Sequence, residues 1–276
     1  MSKKNKVAIV ISIACMATVH IMSKKAEETT YKAKDIEPVP ARKKGLYEKY
    51  IKRLFDIICG IGAMIVFSPL YAVLTILVRV NLGSPVLFTQ ERPGMIGEDG
   101  RETIFKMYKF RSMTNERDEN GELLPDEMRL TSFGKWLRET SLDELGEVIN
   151  IVNGTMSVIG PRPQLVRDLV FMTKEQRMRH TAKPGLSGLA QVNGRNAIRW
   201  EDKLNWDLKY INHVNFMTDI KIVVESISKA FIKREGITQE NMATAEDFGD
   251  YLLNMGRISK EEYNLKTAKA KKIARI

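Results

Sequence analysis

Cysteine is almost absent. Only Cys15 and Cys59 occur, both inside apolar runs, which excludes a disulfide framework and a CxxC metal site. His20, His180 and His213 are scattered without the spacing of a zinc motif. There is no internal repeat, and only two long apolar runs occur, too few for a polytopic membrane enzyme. The middle of the chain also lacks positive charge. The net charge is +10 over 276 residues, but residues 1–53 carry +8, residues 257–276 carry +5, and residues 54–256 carry −3. A nucleic-acid enzyme more often bears a basic face on its folded domain, so no nucleic-acid partner is expected. Basic ends beside apolar segments suit the anionic cytoplasmic leaflet.

The first apolar run, residues 7–22, follows Lys3, Lys4 and Lys6 and has no small-residue cleavage site after it. It reads as an uncleaved anchor, with a cleaved signal as the alternative. The second, residues 57–78, holds no charge and is long enough to cross a hydrocarbon core of about 30 Å. Ser68-Pro69 sits in its middle. Pro69 has no N–H to give the carbonyl of Ile65. The Ser68 hydroxyl can bond back to the preceding turn and deepen the bend. If both runs crossed, the ten Lys/Arg of residues 23–53 would lie outside, against the positive-inside rule. A re-entrant segment returning to the cytoplasmic face is therefore expected.

Two strands are predicted at residues 85–90 and 103–113, joined through the turn formers of residues 91–101 as a hairpin. Residues 115–127 read as a surface loop, and the polar stretch 24–44, with Pro38 and Pro40, as a linker. Leu142, Leu145, Val148, Ile149 and Val152 recur at helical spacing. Further helices are predicted at 164–180, 200–212 and 219–233, with a glycine-rich loop at 183–195. The fold class is α+β, mostly helical with a small β-hairpin.

Asp143 and Glu144 fall in the first turn of the predicted helix. Ser141 with Glu144 three residues on has the form of a capping box, which by itself explains Glu144. Three features point beyond capping. A helix N-terminus favours phosphate. Arg138 and Arg162 can supply the cations a diphosphate needs. Lys109 and Arg111 add two more. An aspartate can attack phosphorus, and a neighbouring carboxylate can hold Mg²⁺ shared with a substrate phosphate.

These motifs stand in a specific order. They are Lys-Arg-Leu-Phe-Asp (52–56), Ser68-Pro69, Phe-Thr-Gln-Glu-Arg-Pro-Gly (88–94), Lys-Phe-Arg-Ser-Met (109–113), Thr-Ser-Leu-Asp-Glu-Leu (140–145), Ile-Gly-Pro-Arg-Pro (159–163) and the glycine-rich run from Gly185 to Arg195. The set resembles the bacterial sugar transferases, the monotopic phosphoglycosyl transferases that start glycan assembly on a lipid carrier. The resemblance covers roughly residues 50–240. It implies transfer of a phosphosugar from a UDP-sugar to undecaprenyl phosphate, with release of UMP. Asp143 would be the nucleophile and Glu144 the Mg²⁺ ligand. Arg138 and Arg162 would contact phosphate, and Asp207 matches an acid near the site. Lys52 and Arg53 would lie at the lipid headgroups, beside the break at Ser68-Pro69. Gln191, Asn193 and Arg195 lie in a stretch similar to members using N-acetylated amino sugars.

The implied organisation is an apolar anchor (1–22), a basic linker (23–50), a transferase domain (51–240) containing the re-entrant helix (54–80), and a charged tail (241–276). The expected location is the cytoplasmic face of the inner membrane, with downstream glycosyltransferases as further partners. The tail after Ile258 could be an interfacial helix or a partner contact. The rival reading is an inactive membrane-tethered scaffold, against which the intact Asp143, Glu144, Arg138 and Arg162 argue.

Overall fold

A computed structural model describes residues 30–194, 198–229 and 246–273. The predicted anchor at residues 7–22 and the candidate Arg195 lie outside the described residues. The bent apolar segment comes first. A π-helical turn, Tyr47–Ile51, leads into α1 (Lys52–Val66), and α2 (Ser68–Leu82) follows after Phe67. The axes bend by 65° at that break. Pro69 leaves the Ile65 carbonyl without its helical donor, and the Ser68 hydroxyl donates to it at 2.8 Å. The expected bend is therefore present. No single described helix is long and apolar enough to cross a membrane.

The outer faces of the pair are apolar and bare. Leu54, Ile58 and Ile65 on α1, and Ile76 and Val80 on α2, are each more than half exposed. The inner face of α1 is held by polar groups. Lys52 is buried in an ion pair with Asp219 of α7 (Phe216–Ile227). Asp219 also accepts from the Tyr47 and Tyr210 hydroxyls, each at 2.8 Å. Arg53 donates to the carbonyls of Ile151 and Val152 at 2.6 and 2.8 Å. Those carbonyls close α4 (Val148–Asn153). Asp56 accepts from the Ser157 hydroxyl and the Val158 N–H at 2.7 and 2.9 Å. Gly60 lets α1 touch α4, since a Cβ there would meet Val152 Cγ2 at 2.9 Å. The headgroup position expected for Lys52 and Arg53 is thus corrected. Both turn inward, because a partner carboxylate and orphaned helix carbonyls offer better bonds than water.

The hairpin is present but longer than predicted. β2 (Leu87–Ile96) pairs antiparallel with β3 (Glu102–Phe110), in register at Thr89 with Tyr108. Residues 91–96, expected as turn, are strand, with an irregularity between Pro93 and Ile96. A third strand, β1 (Tyr31–Lys32), pairs with β3 on its other edge. The linker reading is therefore corrected for its described part. Ala33, Ile36 and Val39 are buried, the first two in one cluster with Ile104, Val166, Leu169 and Ile273. Ile273 ends α9 (Lys260–Ile273), which with α8 (Phe248–Asn254) folds back onto the domain. The tail thus packs on the chain's own core.

The glycine-rich stretch supplies β5 (Gly185–Ser187), parallel to β4 (Ser157–Ile159). A Cβ at Gly160 would meet the Lys183 carbonyl at 2.2 Å, so these backbones touch only because that position is glycine. The short helix α5 (Leu189–Val192) follows, and α6 (Trp200–Asn212) has its predicted bounds. The helix predicted at 164–180 is instead three short turns. Asp168 accepts from Leu165 N–H, and Thr173 caps a new turn by accepting from Gln176 N–H. These local bonds compete with a continuous helix.

Two predictions test this packing. Asp219→Ala removes the ion-pair partner of buried Lys52 and should cost about 3–5 kcal/mol. Thermal unfolding in detergent checks it, with Lys221→Ala, a mostly exposed site, shifting by less than about 0.5 kcal/mol. The second concerns buried Glu102, which pairs with Arg177 at 2.6 Å and His180 at 3.1 Å. Burial pushes its carboxyl up, but hydrogen bonds from His180 and Arg177 prevail and hold it at about 2 against an ordinary 4.5. A depressed carboxylate stabilises the fold above its unfolded value and loses that as pH falls through the folded one. Glu102 should therefore contribute on the order of 3 kcal/mol at neutral pH, lost between pH 4.5 and about 2. Unfolding of Glu102→Gln across that window should show a flatter acid limb.

Candidate active site

The acidic pair lies in a 3₁₀ segment, Leu142–Glu147, not the predicted α-helix. Two contacts with β3 set this winding. A Cβ at Gly146 would meet the Tyr108 carbonyl at 2.8 Å, so the segment lies hard against the strand. Asn150 then pairs with the strand backbone. It accepts from Tyr108 N–H at 2.9 Å and donates to the Lys106 carbonyl at 2.8 Å. Ser141 is left-handed at φ 55° and makes no side-chain cap, so the expected capping box is absent. Glu144 is free for other bonds. In a 3₁₀ turn residues three apart eclipse, which puts Glu144 and Glu147 on one side.

Lys109, near the end of β3, meets that side. Its Nζ is 3.2 Å from Glu144 Oε1, 3.2 Å from Glu147 Oε1 and 3.8 Å from Asp143 Oδ2. Arg162 forms an ion pair with Glu144. Arg138, in the last turn of α3 (Ser132–Glu139), donates from Nε to the Ser112 hydroxyl at 2.9 Å and faces Asp143 with its charge. Gly134 permits that approach, since a Cβ would strike the Ser112 carbonyl at 1.8 Å.

The three carboxyls are not equivalent. Burial pushes Glu144 up, but Arg162 and Lys109 overcome it and hold the group well below the usual carboxylate range. Burial pushes Asp143 up, with Lys109 pulling the other way and Glu144 reinforcing the rise. Glu147, only 2% exposed, is pushed up by burial to about 7 despite Lys109. The cluster thus holds one firmly ionised carboxylate beside a desolvated, more basic one. A raised carboxyl beside fixed cations is a common mark of a reactive site.

The other predicted residues fall into three groups. Asp207 is buried against Arg179, whose Nε reaches Oδ2 at 2.8 Å. Arg179 in turn donates to the Arg162 carbonyl at 2.6 Å, so Asp207 reaches the site through another side chain. Neither end of the buried Gln191 amide is hydrogen-bonded among the described residues, while Asn193 is exposed and donates to the Leu189 carbonyl at 2.8 Å. Arg111 does not join the acids. It closes the end of α2, donating to the carbonyls of Leu82 and of Ser84, the latter at 3.0 Å. Strand alternation would put Lys109 and Arg111 on one face, but β3 ends at Phe110, and beyond that end the two part. Sequence reasoning missed Glu147 and Arg179. The 3₁₀ period would have found Glu147, and Arg179 carried no local signal.

A buried cluster of carboxylates and fixed cations, on a domain with a bare apolar ridge, suits chemistry at phosphorus beside a lipid surface. The profile described as "Bacterial sugar transferase" matches residues 47–233. The chain is 44% identical over 198 residues to the uncharacterized sugar transferase EpsL of Bacillus subtilis (strain 168), covering 72% of this chain and 95% of that protein. It is 37% identical over 193 residues to the UDP-glucose:undecaprenyl-phosphate glucose-1-phosphate transferase of Klebsiella pneumoniae, covering 66% of this chain and 40% of that one. It is 35% identical over 190 residues to the UDP-N-acetylgalactosamine-undecaprenyl-phosphate N-acetylgalactosaminephosphotransferase of Aeromonas hydrophila, covering 64% and 43%. The match thus spans nearly all of the Bacillus protein but about two fifths of the other two. The chain belongs to the bacterial sugar transferase family, whose enzyme class is that of the phosphoglycosyl transferases.

Two neighbouring cations give a discriminating prediction. Lys109→Met leaves three acids without their shared ammonium and should lower transferase turnover at least about 100-fold. Arg111→Met should lower the thermal midpoint, with KM for the sugar donor unchanged within about twofold. Parallel kinetics and melting curves check both.

Proposed function

We propose that this protein transfers a phosphosugar from a UDP-sugar to undecaprenyl phosphate through an aspartyl intermediate on Asp143. The observation that carries the reading is the shared ammonium of Lys109. It fixes Asp143 and Glu144 at a buried site whose other cations, Arg138 and Arg162, can hold phosphate oxygens. The Asp143 carboxylate attacks the β-phosphorus. The bond from that phosphorus to the bridging oxygen breaks, and UMP leaves with the electron pair. The phosphosugar stays as an acyl phosphate. An oxygen of the lipid phosphate then attacks the same phosphorus and frees the Asp143 carboxylate. Desolvation suits the first step, since a carboxylate stripped of water is the stronger nucleophile. The order keeps the two anionic substrates apart in time.

Mg²⁺ fits here as an ion shared with substrate. No group of three His, Cys, Asp or Glu among the described residues is arranged to cage a metal. Mg²⁺ ordinarily takes only one or two carboxylates with substrate phosphates. Glu144 would hold it, and it would neutralise charge on the diphosphate.

The bare ridge of α1 and α2 is the membrane seat in this reading. It continues onto α7, where Phe216, Met217, Val224 and Ile227 are exposed and the Phe216 ring lies 6.2 Å from that of Phe55. An apolar surface of this extent on one chain marks an interaction with lipid or protein. The 65° bend favours a re-entrant path, with the domain on the cytoplasmic face. The stretch from Gln191 to Glu201 favours an N-acetylated amino sugar in the donor. The lipid-linked product would feed later glycosyltransferases that build a surface glycan.

Steady-state kinetics test the mechanism. UMP release over a panel of UDP-sugars should show parallel double-reciprocal lines when donor and lipid acceptor are varied. Asp143→Asn should fall at least about 1,000-fold. Intersecting lines, or an active Asp143→Asn, would contradict a covalent route.

A further inference from the structure

The cations of the acid cluster are largely engaged by its own carboxyls. Lys109 and Arg162 are ion-paired within it, and Arg138 faces Asp143. A nucleotide diphosphate brings further negative charge, so cations beyond this set are needed. Two of them flank Arg162, and neither has an ion pair within the described residues.

The first is Arg92 of β2. One of its terminal nitrogens donates to the Pro163 carbonyl at 3.4 Å and the other to Gln90 Oε1 at 2.6 Å. Its Nε is buried with no hydrogen-bond partner among the described residues. This guanidinium therefore sits beside the Pro161–Pro163 turn that carries Arg162. Burial, and then the Arg162 charge, push its pKa down to about 10. Two neighbouring guanidiniums repel, and an anion between them relieves the cost.

The second is Lys203 of α6. It lies one helical turn before Asp207, on the face turned to Arg179 and the Arg162 backbone. Its ammonium stands 5.1 Å over the Trp200 ring. The acids beside it are committed elsewhere, Glu201 to Arg257 at 2.6 Å and Asp202 to Arg199 at 3.3 Å. Burial and the Arg162 charge again lower its pKa. A half-buried lysine without a carboxylate, facing another cation, is poised for a ligand anion.

We propose that Arg92 and Lys203, flanking Arg162, bind the nucleotide-side phosphate of the donor. Lys109 and Arg162 already face the acid pair and serve the phosphorus that Asp143 attacks. The phosphate one bridge away needs cations of its own, and Arg92 on β2 and Lys203 on α6 lie within electrostatic reach of Arg162. The inference rests on the proposed UDP-sugar chemistry, and UMP, the leaving group, is its natural probe.

The test measures binding of UMP and of uridine to the full-length detergent-solubilised enzyme by calorimetry, with UMP release read separately. Lys203→Gln and Arg92→Gln should each weaken UMP about tenfold or more, the worth of one charge-assisted contact. Uridine binding should not change. Arg92→Gln loses its bonds to Pro163 and Gln90 and is checked by melting, whereas Lys203 makes no hydrogen bond among the described residues, and Lys203→Gln is checked the same way. Unchanged UMP affinity in Lys203→Gln would overturn the subsite, and so would equal weakening of UMP and uridine. If the wild type released no UMP from any UDP-sugar yet bound UMP through these two residues, the function reading would fall and the subsite would stand.

Discussion

The Lys109 ammonium, shared among Asp143, Glu144 and Glu147, is the interaction on which the rest of the site depends. Three carboxyls in a small buried volume repel strongly, and desolvation raises the cost further. One cation at their centre makes the cluster tolerable. Arg162 then takes Glu144, and burial leaves Asp143 and Glu147 raised. These charges tie the strand end, the 3₁₀ segment and the Pro-Arg-Pro turn together, beside the apolar cluster in which Phe110 meets Leu142 and Leu145. Asn150 and Gly146 complete the arrangement by fixing the acid segment on the β3 backbone.

The second constraint is the apolar segment. A bent helix pair with a bare outer face cannot be stabilised by water-side contacts, so its hold on the domain comes from the inner face. Lys52, Arg53 and Asp56 supply it, each bonded to a different element. Arg53 closes α4, whose preceding residues carry the acid pair. The bare apolar face and the acid site are thereby joined through directly bonded elements. That arrangement suits a reaction between a soluble and a bilayer-embedded substrate.

Local signals in the sequence were reliable where a single segment decides its own structure. Ser68-Pro69 specified the bend through one missing donor and one hydroxyl. Helix 200–212 followed from its own periodicity. The chain order of motifs located the acid pair and Arg162. Long-range partners were illegible. Lys52 reads as a headgroup lysine until Asp219, 167 residues away, is seen beside it. Ala33, Ile36 and Val39 are sparse apolar residues in a polar stretch, and only the edge of β3 makes them core. The capping box failed because tertiary contact with β3 outbid a local cap, tightening the helix to 3₁₀. Glu147 stands three residues after Glu144, a same-face neighbour in either helix type, but only contact with β3 brings Lys109 to that side.

In the proposed reaction Lys109 holds Asp143 ready to carry the phosphosugar. The most direct measurement of this is intact-mass and peptide spectrometry of enzyme mixed with donor alone, lipid phosphate withheld. The account predicts a mass gain of one phosphosugar mapped to Asp143 in the wild type. It predicts none in a folded Lys109→Met protein. No adduct on the wild type, or an adduct on another residue, would contradict it.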